Sequence, residues 1–340
     1  AASAFTRGCL CVQVELGPEV VQPTLSTGPA YQFPDAALSF LEGVGGSDRL
    51  MFPSDGKTWR TTGPDLFHQH APDPSDEVLG SGDGNWTYDS NGNWMLATFR
   101  IGGVGSEQLV GFTHVENHHW NCSGPYAEWN AAAVVRSSDD GRSWIRDGLA
   151  VGDPQPCKPA FGGAGYSSVL RMSESNAESN GGGIAWRGWG GCYGYVSTDE
   201  TGAAGSWRRY FNGSFSQPGV GGEQSCLPGL GMNIAAPIVH WNSFLARYVM
   251  LTSYWGHNQQ IWLYTSKDGV GWSLPQLLVN SSTHAEIAYG QVIGPNSSHE
   301  AGQDATLVYA ASPATVKGAH RDFITRSIHF ITSADELEIA

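Results

Sequence analysis

The chain has 340 residues, a net charge of −14 and only 15% charged residues, against 45 Gly, 13 Trp, 13 Phe and 12 Tyr. That balance argues against nucleic acid and anionic membranes as partners, and no apolar run of 18 or more residues exists to span a bilayer. Rich in turn formers and aromatics, and without an extended helical period, the sequence reads as all-β.

One turn organises the chain. Asp-Gly-x-x-Trp occurs at residues 55–59, 140–144 and 268–272; a looser copy runs over 199–207, and Asp335 begins a fifth. A tight Asp-Gly turn after an apolar run, with Trp opening the next, describes a hairpin whose Trp plugs its own sheet. At a spacing of roughly 65 residues, these copies predict one closed array over residues 1–340, because a lone repeat cannot bury its own faces. The predicted fold is a five-bladed β-propeller of four-stranded antiparallel blades, with the turn joining the third and fourth strands of each. A functional site then belongs at the opposite end of the ring, where inner strands begin and second strands turn into third.

In chain order, blade 1 takes 37–41 and 50–52, after the segment Phe33-Pro34-Asp35-Ala36. Blade 2 enters through His68-Gln69-His70 and Gly82-Asp83-Gly84. Its inner strand falls at 86–88 or 94–99, its second at 108–113, and its third at 131–136 after a loop over 114–129. Blade 3 takes 166–172, 184–186 and 193–196, with 187–190 as a loop. Blade 4 takes 234–241, 247–253 and 260–265, with 254–258 as the equivalent loop. Blade 5 takes 289–293, 306–310 and 324–331 and lacks an outer strand, which the alternating run 9–14 is suited to supply.

The same map pairs Cys122 with Cys157 and Cys192 with Cys226 as disulfides stapling loops at the site end, and leaves Cys9 and Cys11 open. An even count of six cysteines and five Asn-x-Ser/Thr acceptors (Asn85, Asn121, Asn212, Asn280, Asn296) fit a secreted glycoprotein. Ala1 is accordingly read as a mature N-terminus after signal removal, and the protein as a monomer.

The Ser-x-Asp-x-Gly-x-x-Trp form at 137–144 resembles the Asp-box of sialidases and other secreted carbohydrate-active propellers. The shorter turn at 266–273 is similar to those of five-bladed glycosidases such as glycoside hydrolase family 43 and its relatives. The resemblance implies a carbohydrate on the axis, with carboxylates from several blades around it. It places a base at the start of the first inner strand, matched by Asp35, a second Asp on the next blade, matched by Asp83, and a Glu acid further on. Glu116, Glu223 and Glu286 compete for that last place. The arginine clamp and tyrosine nucleophile of sialidases are not evident, which argues against sialic acid as substrate.

The densest chemistry lies at His114-Val115-Glu116-Asn117-His118-His119-Trp120. If the second strand of blade 2 continues through it, His114, Glu116 and His118 share one face. Glu116 then has three readings. It is a general acid whose pKa must be raised; or part of a divalent-cation site with His68, His70, His114 and His118; or a structural network. Glycoside hydrolysis requires two carboxyl groups facing across the scissile bond, and Asp35 as base with Glu116 as acid meets that demand, with Asp83 as a tuning charge. No cofactor is required. Trp120, Trp189, Tyr254 and Trp255 offer aromatic faces for sugar stacking. Arg187 and His257 read hydroxyls or a uronate, and His70, His114, His118, Glu223 and Glu286 complete the substrate-facing set. The expectation is a secreted hydrolase of a plant, fungal or microbial wall polysaccharide. A polysaccharide lyase with a His or Tyr base and a non-catalytic carbohydrate binder are the alternatives.

Overall fold

Apolar runs broken by Gly and Asp turns fold into 24 strands in the computed structural model, which describes residues 12–22, 35–46, 48–82, 88–102, 105–118, 129–152, 167–172, 185–254, 257–313 and 321–331. The first two, β1 (Gln13–Leu16) and β2 (Val20–Val21), belong to the last blade. Blade 1 holds β3 (Ser39–Glu42), β4 (Arg49–Phe52), β5 (Thr58–Trp59), β6 (Thr61–Gly63) and β7 (Glu77–Leu79), in the order β3-β4-β6 with β5-β7 as a separate ribbon. Blade 2 is β8 (Gly92–Arg100), β9 (Leu109–Asn117), β10 (Trp129–Ser137) and β11 (Ile145–Val151). Blade 3 is β12 (Ser167–Arg171), β13 (Trp186–Gly190), β14 (Tyr193–Ser197), β15 (Trp207–Phe211) and an unforeseen fifth strand, β16 (Ser214–Pro218).

Blade 4 is β17 (Ile234–Asn242), β18 (Arg247–Tyr254), β19 (His257–Ser266) and β20 (Gln276–Asn280). Blade 5 is β21 (His284–Ile293), β23 (Asp304–Pro313) and β24 (Asp322–Ile331), while β22 (Glu300–Ala301) pairs with β17 and stitches blades 4 and 5. The chain is thus an all-β, five-bladed propeller. Its ring closes at two places. β1 pairs antiparallel with β24, Gln13 opposite Ile331 through Leu16 opposite Ile328, a few residues later than the run 9–14 placed it. On the axis, Gln291 of β21 donates to Leu38 O (2.9 Å) and accepts from Leu38 N (2.8 Å).

The core lies between blades. Leu50 and Phe52 of blade 1 meet Met95, Val135 and Trp144 of blade 2. Phe112 and Val134 meet Trp186, Tyr195 and Trp207 of blade 3, and Leu170 and Trp189 meet Tyr248, Met250 and Trp272 of blade 4. Leu251 and Leu263 meet Leu307 and Ile324 of blade 5, whose Ile293 and Val308 meet Phe40 and Trp59 of blade 1. The turn tryptophans 59, 144, 207 and 272 therefore sit in the wedge shared with the preceding blade, not in their own sheet as the hairpin reading had it. An indole needs roughly 150–250 Å² of cover, and the facing sheet supplies it.

Three of the Asp turns join third to fourth strands as expected. Ser137 Oγ accepts from Gly141 N (2.8 Å) and donates to Asp139 Oδ1 (2.7 Å), and Ser143 N donates to the same oxygen (2.9 Å). Gly141 has φ 80°, and a Cβ there would meet the Phe52 ring, so glycine is required. This turn lies where β8 ends, with Asp140 paired to Arg100. The turn at 55–57 departs from the pattern. It follows the second strand of its blade, and Gly56 O accepts from Asn93 N at the start of β8 (2.9 Å). It sits at the other end of the ring, because blade 1 pairs β6 with β4 and sets β5 apart.

Cys192 and Cys226 form the expected disulfide, 34 residues apart; Cys122, Cys157, Cys9 and Cys11 lie outside the described residues. By the chain-entropy argument, replacing Cys192 and Cys226 by Ser should cost about 3–4 kcal/mol. Urea unfolding of the double variant checks this.

Candidate active site

Asp35 precedes β3, and its N–H donates to Ser54 O at 3.3 Å, which fixes it where the inner strands begin. Three side chains hold its carboxyl group. Arg321 Nη1 and Tyr289 Oη (3.3 Å) meet Oδ1, and Trp94 Nε1 donates to Oδ2 at 3.1 Å. These partners come from blades 5 and 2, on either side of blade 1, so the cluster exists only in the closed ring.

Tyr289 reaches Asp35 because β21 bulges between Ala288 and Gln291, with Tyr289 at φ 57°. A left-handed non-glycine costs about 1–2 kcal/mol, and bulges of this kind re-aim side chains at functional sites. Gly290 permits the bulge, since a Cβ there would stand 2.8 Å from Ile261. Arg321 lies 5.7 Å from the centre of the Tyr289 ring. Burial works against its charge, but the charges of Asp35 and Tyr289, the Asp35 hydrogen bond and the charge of Glu286 outweigh that and raise its pKa.

On blade 2, β9 runs through Asn117, so His114 and Glu116 share a face, as the spacing of two predicts. His114 Nε2 donates to Glu116 Oε1 at 2.8 Å, and His118 Nε2 to Oε2 at 2.7 Å. Glu116 is 8% exposed, His114 buried and His118 45% exposed. Burial alone would raise the Glu116 carboxyl, but its hydrogen bonds to and charge interactions with His114 and His118 win and hold it below the usual carboxylate range. This runs against the acid reading of Glu116, which needs the opposite shift. The His114 ring stands 5.2 Å from Trp94, and Trp94 reaches Asp35. Glu116 and Asp35 are therefore the ends of one contiguous chain of side chains.

Other predicted residues fall elsewhere. His68 binds Asp65 and His70 binds Thr62 and Asp76, in blade 1's outer segments rather than beside Glu116. Among the described residues no group of three or more His, Cys, Asp or Glu could hold a metal ion. Arg187 and Trp189 lie in β13, not in a loop, and are 2% and 0% exposed. Trp189 Nε1 donates to Gly269 O (2.9 Å), so both residues pack on a blade-4 turn instead of facing a ligand. Their alternation with glycines hid a strand, since Gly188 and Gly190 read as loop.

Glu223 is exposed in the connection from β16 to β17. Glu286 is half-buried on β21. Tyr254 pairs with His257, and their side chains, with Asp83, Trp120 and Trp255, lie outside the described residues. The sequence reading missed Trp94, Tyr289 and Arg321. Only Arg321 carried a signal, as a basic residue opening a strand beside the predicted closure. A tyrosine and an arginine do meet here, but Arg321 is paired with Asp35.

Two more histidines are structural. His240 is buried and His299 is half-buried, and loss of water lowers their pKa values to about 3 and about 4; His299 also stacks on Phe99 at 4.1 Å. Between those values and about 6.5 the unfolded chain holds protons that the folded chain does not. Stability should thus be full above about 6.5 and fall with acidification, by about 1.4 kcal/mol per pH unit for each histidine. Urea unfolding between about pH 5 and 7 should show this slope, and His240→Gln should remove about half of it.

No family model and no curated protein matches the chain. Solved structures do. An exo-β-1,3-galactanase from Phanerochaete chrysosporium with β-1,3-galactotriose is 15% identical with a TM-score of 0.51, covering 90% of this chain and 64% of its own. The same enzyme with galactose gives 14% and 0.51 over the same shares. An endo-1,5-α-L-arabinanase from Thermotoga petrophila RKU-1 is 11% identical with a TM-score of 0.53, covering 90% of this chain and 75% of its own. At such identities the likeness is one of fold, and the chain spans less than two thirds of the galactanase's length.

Proposed function

We propose that this chain is a glycoside hydrolase that cleaves a bond in a plant, fungal or microbial wall polysaccharide, with the whole ring as one catalytic unit. The observation that carries the reading is the Asp35 carboxyl group, held by Arg321, Tyr289 and Trp94 where the ring closes. A propeller fold shared with a galactanase and an arabinanase supports it. Asp35 takes a proton from the water that attacks the anomeric carbon. Glu286, on the inner strand of the adjoining blade and close enough to Arg321 to affect its charge, gives its proton to the departing oxygen, so the C–O bond breaks without a free alkoxide. Glu116 is a positioning residue that orients Asp35 through His114 and Trp94, and Asp83 keeps the tuning role.

Incubation with arabinan and β-1,3-galactan, followed for new reducing ends, tests this; turnover of no wall polysaccharide would overturn it. The half-exposed His118, backed by Glu116, favours the lyase reading. A lyase, however, needs a cation to neutralise a uronate, and Arg321 is already paired. Secretion as a glycoprotein is supported by the Cys192–Cys226 disulfide and by the exposure of Asn212, Asn280 and Asn296.

A further inference from the structure

Among the described residues the turn at 55–57 is the one copy of the motif at the site end of the ring, and the proposed reaction leaves it unused. It borders a cleft of about 360 Å³, at the small end of ligand pockets. We infer that this cleft is a second saccharide subsite, taking one neutral sugar unit beside the unit held at Asp35; the inference rests on the hydrolase reading.

Position supports it first. Gly56 packs on the Trp94 ring, at 3.7 Å from where its Cβ would be, and that same indole donates to Asp35. Gly56 of the cleft and the Asp35 carboxyl group thus both touch the Trp94 indole. Its construction supports it next. The buried Trp59 contributes apolar surface, and Pro74 opens a 3-10 turn (Pro74–Asp76) fixed by a capping box from Asp73 and by Arg60 N donating to Asp76 O (2.9 Å). Walls held this way need no ordering when a ligand arrives.

The polar groups fit vicinal hydroxyls. Lys57 Nζ and Glu77 Oε2, 2.7 Å apart and 49% and 31% exposed, supply a donor and an acceptor side by side. An exposed pair contributes little to stability, so its place in the lining serves recognition. Asn91 Oδ1 accepts from His118 N (2.6 Å), which links the cleft to the Glu116 cluster. With Asp55 and Glu77 against Lys57 the rim is net acidic, which selects against a uronate.

The test uses the full chain carrying Asp35→Asn, so that bound oligosaccharides are not consumed. Calorimetry with ladders of arabinan and β-1,3-galactan oligosaccharides should show affinity rising about tenfold at the length that first reaches the cleft. Adding Ser81→Trp, which fills the cleft, or Lys57→Ala, a surface change that leaves Trp59 in place, should remove most of that rise. A rise that persists in both variants would overturn the subsite and leave the hydrolase reading intact. If oligosaccharides of every length fail to bind and the unsubstituted chain cleaves neither polymer, both fall together.

Discussion

Asp35→Asn should lower turnover about 10²–10⁴-fold with little change in KM, the loss usual for a positioned acid or base. The substitution keeps the shape of the side chain and an oxygen for Trp94 or Arg321 to bind, but removes the group that takes the proton. Stability should fall as well, because Asp35 and Arg321 are only about one-fifth exposed and the substitution leaves the largely buried Arg321 charge uncompensated, so urea midpoints are read beside the kinetics. Tyr289→Phe is the internal comparison. It deletes one of two donors on Oδ1 and should cost roughly tenfold, the share of one hydrogen bond. Steady-state kinetics on whichever polymer yields reducing ends would check both. Asp35→Asn within a few-fold of the unsubstituted chain would remove Asp35 from the reaction.

Trp186→Ala should destabilise the ring by about 3–5 kcal/mol, the range for truncating a buried aromatic. Trp186 is fully buried between blades 2 and 3. Its ring meets Phe99 at 5.0 Å and Phe112 at 5.3 Å, the Arg171 guanidinium stands 5.6 Å from it, and Nε1 donates to Glu200 O at 3.2 Å. Truncation opens a cavity between two sheets whose backbones are tied to their own ladders and cannot collapse to fill it. A control at Ile145, 75% exposed on β11, should shift stability by less than about 0.5 kcal/mol. Urea midpoints with unchanged m-values would show both effects. A Trp186→Ala loss below about 1 kcal/mol would mean that the wedge between blades is not where the stability lies.

Much of the fold was legible because its signals are local. Asp-Gly turns and apolar runs mark hairpins within a few residues, and their spacing counts blades. The site was less legible because it is assembled across the closure. Asp35 could be named because the resemblance to five-bladed glycosidases implies an acidic base at the start of the first inner strand, where Phe33-Pro34-Asp35-Ala36 stands. Trp94, Tyr289 and Arg321 meet it from blades 2 and 5, contacts no local pattern encodes, and Tyr289 depends on a bulge whose positive φ the sequence does not announce. Glu116 was found through its flanking histidines, while the balance between its burial and the two imidazoles at hydrogen-bond distance is set by the fold. The 55–57 turn was assigned to the wrong end of the ring for a similar reason. Its motif is local, while its end of the ring is set by β6 pairing with β4 in place of β5.

The central claim is hydrolysis at the Asp35 end of the ring, and product analysis tests it most directly. Arabinan, β-1,3-galactan and uronate-containing wall polymers would be incubated with the unsubstituted chain and with Asp35→Asn, then read for reducing ends and for ultraviolet absorbance. The account predicts reducing ends from a neutral polymer, no absorbing product, and loss of both rate and product in Asp35→Asn. Unsaturated, ultraviolet-absorbing ends from a uronate polymer, or reducing ends formed equally well by Asp35→Asn, would contradict it.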